Sequence, residues 1–190
     1  NARLTVSERS GRHNYHRIAS AEVAEVLESL AGISPTDHLY RAKRGANSGA
    51  EALIARTCYN HIAGRLGVLI SQRLVAAGAL LETQGRFSHN LGRAEMFVQL
   101  GIALPTPQTN GAPFAKCCLD WTERRTHISG HLGMVLLEKL LHDNWLQRKQ
   151  GSRALTITPL GSGALQRFFD ITQSDLNAPH PPRTVRSQPN

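Results

Sequence analysis

Cysteine, acidic residues and long apolar runs are all in short supply in this 190-residue sequence, and each shortage removes a class of protein. The three cysteines, two of them the neighbours Cys117 and Cys118, do not make the disulfide framework of a small secreted domain, so free thiols in a reducing cytoplasm are expected. No stretch approaches the roughly 20 apolar residues of a membrane span, and the polar N-terminus lacks the apolar region of a signal peptide, so no membrane partner is expected. No nucleotide-binding loop, triad elbow or carboxylate motif is present. Cys118, His127 and Asp120 are the residue types of a nucleophile, a base and an orienting acid, but nothing in their spacing assembles them, and the chain is read as a non-enzyme.

What is present is apolar content of 41%, enough to bury one large or two small cores, and 22 Lys and Arg against 14 Asp and Glu. The resulting charge of +8 suits a polyanionic partner such as double-stranded DNA. The sequence opens at Asn1, and Arg3 to Val6 already alternates polar and apolar residues, so it is expected to start inside a folded unit. Leu4, Val6, a turn at Ser10-Gly11-Arg12, then Tyr15 and Ile18 read as a β-hairpin. Ser20 is placed to cap a helix whose Ala21, Val23, Ala24, Val26, Leu27, Leu30 and Ala31 make an apolar stripe broad enough for a dimer interface.

The strongest internal signal is a repeat. His61-Ile-Ala-Gly-Arg-Leu-Gly67 and the helical residues after it, to Leu80, recur as His127-Ile-Ser-Gly-His-Leu-Gly133 and on to Leu146. A hairpin-like stretch follows each copy, at Glu82 to Asn90 and Gln147 to Thr158, and a helix follows each hairpin, at 91–102 and 160–171. The pattern predicts a mainly α fold with short β-hairpins (α+β), built of tandem winged-helix-like units. Close packing is the expected role of the matched glycines Gly64, Gly67, Gly130 and Gly133. The expected divisions are a remnant of an N-terminal winged-helix domain at 1–33, a linker at 34–48, a first repeat at 49–102, a second linker at 103–114, a second repeat at 115–171 and a disordered tail at 172–190.

The stretch from Arg9-Ser-Gly-Arg-His-Asn-Tyr-His-Arg17 through Leu30 resembles the wing and dimerisation helix of the arsenical-resistance repressor (ArsR) family. Ala55-Arg-Thr-Cys-Tyr-Asn-His-Ile-Ala-Gly-Arg-Leu-Gly67 and Cys118-Leu-Asp-Trp-Thr-Glu-Arg-Arg-Thr-His-Ile-Ser-Gly130 resemble signatures of a longer branch of it with a C-terminal region. That resemblance implies a cytoplasmic, homodimeric winged helix-turn-helix regulator, a repressor released from DNA by a metal or small-molecule effector. It places the recognition helix before Asn1. An effector-binding or protein-interaction module whose C-terminal repeats do not touch DNA is the competing reading.

Four sets of residues are candidates for function. Arg9, Arg12, His13 and Arg17, around the first hairpin, are placed to meet phosphate as a basic wing does, or to be an ordinary solvated turn. Lys149 and Arg153 on the last hairpin are similar in kind. Trp121, Arg124 and Arg125 offer an apolar wall and bidentate donors for an anionic effector, unless the arginines pair with Asp120 and Glu123 as a structural corner. Cys58 and His61, three apart and so on one face of a helix, can meet Cys118 and His127 across the pseudo-symmetry in a four-ligand set for zinc or another thiophilic metal. The plainer alternative is a buried small apolar cysteine and a turn-capping histidine in each copy, and a thiol switch at Cys117 and Cys118 is a third possibility.

Overall fold

Two long helices, each opened by a glycine, organise the chain, and the strands that lead into them decide what packs where. The computed structural model describes residues 4–10, 13–20, 22–24, 26, 27, 30, 48–83, 86–104 and 114–178, and among them it shows helices combined with several antiparallel sheets, an α+β fold. Strands β1 (Thr5–Ser10) and β2 (His13–Ile18) pair antiparallel from Thr5↔Ile18 to Ser10↔His13. Helical residues follow between 22 and 30, with the Ser20 hydroxyl accepting from the Val23 amide. Val26, Leu27 and Leu30 on that stretch are exposed, so the broad stripe is only partly covered within the chain. The expected linker at 34–48 lies outside the described residues except at its last position, Ser48.

The first repeat consists of α1 (Ser48–Ile54), β3 (Arg56–Cys58), β4 (His61–Ala63), α2 (Gly64–Ala76), β5 (Leu80–Thr83), β6 (Arg86–His89), a 3₁₀ turn (Leu91–Arg93) and α3 (Glu95–Gln99). The second repeat has β7 (Ala115–Leu119), β8 (Thr126–Ser129), α4 (Gly130–His142), β9 (Leu146–Arg148), β10 (Leu155–Ile157) and α5 (Pro159–Phe169). Each long helix is thus preceded by a short strand pair that the periodicity does not reveal. The matched glycines have backbone reasons. Gly64 and Gly130 open their helices at φ of +78° and +72°, and a Cβ on Gly67 or Gly133 would sit 2.4 or 2.6 Å from the carbonyl oxygen of Ile62 or Ile128.

The two repeats are interlocked, and the interlock is reciprocal. Strand β6 of the first repeat pairs with β7 of the second, giving one four-stranded sheet in the order β5-β6-β7-β8. In return the last hairpin of the second repeat bonds to β3 of the first, through an Arg56↔Ala154 bridge and Leu155 N–H to the Ala55 carbonyl at 2.9 Å. The helices cross over in the same way: α2 packs on β8 and α4 on β4. One hydrophobic core, including Leu66, Ile70, Leu132, Leu136 and Leu165, therefore runs through both copies.

The tail expected to be disordered from 172 is not so at its start. Helix α6 (Gln173–Asn177) is opened by a reciprocal Thr172–Asp175 capping box and buries Leu176, and Arg65 Nη1 donates to the carbonyls of Asp175 and Ala178. The remainder of the expected tail, 179–190, lies outside the described residues.

Candidate metal centre

Cys58 and His61 are not on a helix. They close the hairpin β3–β4 as Cα partners around the two-residue turn Tyr59-Asn60, and Tyr59 adopts the left-handed conformation at φ +52° to make that turn. The spacing of three that suggests a helical face is equally the spacing of the pair that closes a two-residue hairpin loop, where the two side chains lie directly opposite on one face. Cys118 and His127 are likewise Cα partners, in β7–β8, where the loop from Asp120 to Arg125 replaces the two-residue turn. Each repeat thus presents one cysteine and one histidine from the same pair of positions on an equivalent hairpin.

The reciprocal packing sets these hairpins face to face. The Cys58 and Cys118 sulfurs are 3.9 Å apart, the His61 and His127 Nε2 atoms are 3.0 Å apart, and all four ligand atoms lie within 4.8 Å of one another. Cys58, His61 and His127 are buried and Cys118 is half-buried. Gly133 belongs to this geometry, because a Cβ there would come within 2.9 Å of His61 Cβ as α4 crosses β4. The Cys58 thiol is pushed up to about 12, first by its hydrogen bond to Cys118 and then by burial, against the lowering influence of the two histidines.

The far nitrogen of each ring faces oxygen. His61 Nδ1 lies 3.3 Å from Asn60 Oδ1. His127 Nδ1 is buried with no hydrogen-bond partner among the described residues, and Asp120 Oδ2 stands 3.6 Å away. Asp120 is the hub of this region and is fully buried. Arg56 Nη2 donates to both its oxygens at 2.9 and 2.8 Å, the amides of Thr122 and Glu123 and the Thr122 hydroxyl donate to Oδ1, and the Gly64 amide at the start of α2 donates to Oδ2 at 2.7 Å. Burial alone would raise the Asp120 carboxyl, but Arg56, Thr122, His127 and the Glu123 amide together hold it well below the usual carboxylate range. A carboxylate of the second repeat therefore fixes the first turn of the first repeat's long helix.

The other candidates fall elsewhere. Cys117 and Cys118 project to opposite sides of β7, so they do not form a pair: Cys117 Sγ lies 3.7 Å from Glu82 Oε1, while Cys118 meets Cys58. Asp120 pairs with Arg56 and Glu123 with Arg65, both arginines of the first repeat. Arg124 and Arg125 are exposed, and Trp121 has the Arg56 guanidinium 4.8 Å from its ring centroid. Arg9 and Arg17 are exposed on β1 and β2, where the register pairs them with Asn14 and Val6 and so puts them on opposite faces of the hairpin. His13 opens β2, and Arg12 lies outside the described residues. Lys149 pairs with Glu51 of α1. Arg56 and Asn60 are site residues that the sequence does not single out, and the partner of Asp120, Arg56, lies across the interlock.

Comparison with known proteins decides the family. The chain is 36% identical over 170 residues, 90% of its length and 75% of the relative's, to the uncharacterized HTH-type transcriptional regulator YdfF of Bacillus subtilis (strain 168). This chain belongs to the HTH-type transcriptional regulators. No family model matches the regulator, and no solved structure matches it. Among its described residues no helix is long and apolar enough to cross a membrane. The match covers most of this regulator's chain.

Proposed function

We propose that this protein is a DNA-binding transcriptional regulator of the ArsR type, an effector-responsive repressor that acts as a homodimer and is built of winged-helix-like units. The observation that carries the reading is its kinship with an HTH-type transcriptional regulator over nearly the whole chain. A formal charge of +8 and the exposed Arg9 and Arg17 on the first hairpin support a polyanionic partner. The two C-terminal repeats act in this reading as the regulatory body and do not read bases. In a winged helix the helix before the wing enters the groove, and α2, which precedes the β5–β6 hairpin, is covered along nearly its whole length, with Leu66, Val68, Ile70 and Leu74 all buried.

Binding of the protein encoded by the whole gene to the DNA upstream of that gene tests this. The affinity is expected to fall steeply with salt, with a log–log slope of about −0.9 per phosphate neutralised, and Arg9→Ala and Arg12→Ala are each expected to reduce that slope by about one. Binding that is absent or indifferent to salt contradicts the proposal and favours a protein-interaction module.

A further inference from the structure

We propose that Cys58, His61, Cys118 and His127 form a closed tetrahedral site for one structural Zn²⁺, which clasps the two repeats together. The proposal stands on the donor geometry and is independent of whether the protein binds DNA.

The distances fit zinc. Bond lengths of about 2.3 Å to sulfur and 2.0–2.1 Å to nitrogen at tetrahedral angles put two sulfurs about 3.8 Å apart and two nitrogens about 3.4 Å apart. The cluster has 3.9 and 3.0 Å, with a greatest ligand–ligand distance of 4.8 Å that small side-chain rotations can shorten. Two thiolates and two imidazoles suit a borderline-soft d¹⁰ ion and disfavour magnesium or calcium, which take oxygen.

The surroundings of the histidines are those of metal ligands. With Nδ1–H of each ring turned to its oxygen, Asn60 Oδ1 on one side and Asp120 Oδ2 on the other, the two Nε2 lone pairs point at each other across 3.0 Å. A cation between them removes that conflict, and draws His127 Nδ1, a buried atom otherwise without a partner among the described residues, toward the carboxylate. A carboxylate–histidine–metal relay of this kind fixes tautomer and ring orientation. Binding is neutral in charge: one Zn²⁺ enters and the two thiol protons leave, so the buried site gains no net charge beside the Arg56–Asp120 pair.

Four protein ligands leave no open position for water or substrate, the mark of a structural site rather than a catalytic one. The first repeat supplies its ligands from two paired three-residue strands, and the second from the end of β7–β8 beside the 120–125 loop. Zinc then does for the hairpin tips what the shared sheet and crossed helices do for the rest of the interface.

The test is the metal content of the whole protein, purified under reducing conditions without chelator and then equilibrated with Zn²⁺ alone. About one zinc per chain is expected, and cobalt in its place should show the strong visible bands and thiolate charge transfer of a tetrahedral site. Cys58→Ser and Cys118→Ser are each expected to lose tight zinc binding, while Cys117→Ser, one residue away on the opposite side of β7, keeps it. A folded wild-type protein that takes up no stoichiometric zinc, octahedral cobalt spectra, a Cys58–Cys118 disulfide that persists in reductant, or loss of zinc in Cys117→Ser would each overturn the proposal. Because the first arm uses the wild-type protein, a variant that fails to fold does not decide the outcome.

Discussion

Replacing Asp120 by alanine is expected to lower stability by about 3–5 kcal/mol, a fall of roughly 10–15 °C in Tm for a chain of this size. The magnitude follows from what the substitution strands. Arg56, itself buried, loses both carboxylate bonds and keeps the Nη1 hydrogen bonds to Ala52 and Thr122 and the Trp121 ring beside it. An uncompensated buried guanidinium is among the costliest defects a core can hold. The amides of Gly64, Thr122 and Glu123 lose their acceptor at the same time, which unties the 120–125 loop and the first turn of α2 together. Asp120→Asn keeps an acceptor oxygen while losing the charge, and should fall between alanine and wild type. In the double variant Arg56→Met/Asp120→Ala no charge is left stranded, so it should lose less than the two single changes added together. Equilibrium denaturation of wild type, Arg56→Met, Asp120→Ala, Asp120→Asn and the double variant checks this. A loss below about 1 kcal/mol for Asp120→Ala would show that the hub is not what ties the repeats.

The second large effect concerns two glycines in one helix, and its sign differs between them. Gly161→Ala is expected to destabilise the protein by about 3 kcal/mol or more, because its Cβ would lie 2.0 Å from the Trp145 carbonyl oxygen and 2.7 Å from the carbonyl carbon. These are backbone atoms of the residue just before β9, and they cannot swing aside as a side-chain end can. That carbonyl also accepts from the Thr158 amide at 3.0 Å, and the Trp145 ring stacks on Phe168 of the same helix, so α5 cannot lift at one point without losing both contacts. At Gly163, two residues on in α5, an added Cβ meets nothing within 4 Å. There the ordinary helix preference applies, and Gly163→Ala should stabilise by about 0.5–1 kcal/mol. Thermal or denaturant unfolding of the pair provides its own control, since both changes add one methyl to the same helix. Equal effects at the two positions would contradict the packing described.

The repeat was legible in the sequence because the same local physics is written twice: a glycine that opens a helix, an apolar stripe, a hairpin and a second helix. The α+β character and the four-residue Cys–His grouping could be read from those signals. The local geometry of that grouping could not, because Cys58 and His61 at a spacing of three satisfy a helix face and a hairpin closure equally. The turn between them, Tyr59-Asn60, also lacks the Asn-Gly or Asp-Gly signature, and Tyr59 at φ +52° is an uncommon residue for that conformation. The capping box Thr172-Gln-Ser-Asp175 is present in the sequence, but the Pro- and Ser-rich composition after it masked a helix of only five residues.

What no local pattern shows is the interlock. That β6 seeks β7, that Ala154 and Leu155 return to β3, and that Asp120 answers Arg56 instead of its neighbour Arg124 are pairings across 30 to 100 residues, set by the shape of the shared core. The candidate site depends on them. Four ligands drawn from two hairpins become one cluster only because each repeat completes the other.

X-ray absorption at the zinc edge of the zinc-loaded full chain tests that joining most directly. The expected first shell is two sulfurs at about 2.3 Å and two imidazole nitrogens at about 2.0–2.1 Å, both nitrogens lost from the shell in the double variant His61→Ala/His127→Ala. A shell of oxygen and nitrogen without sulfur, or with a single sulfur, would contradict a metal centre built equally from the two repeats.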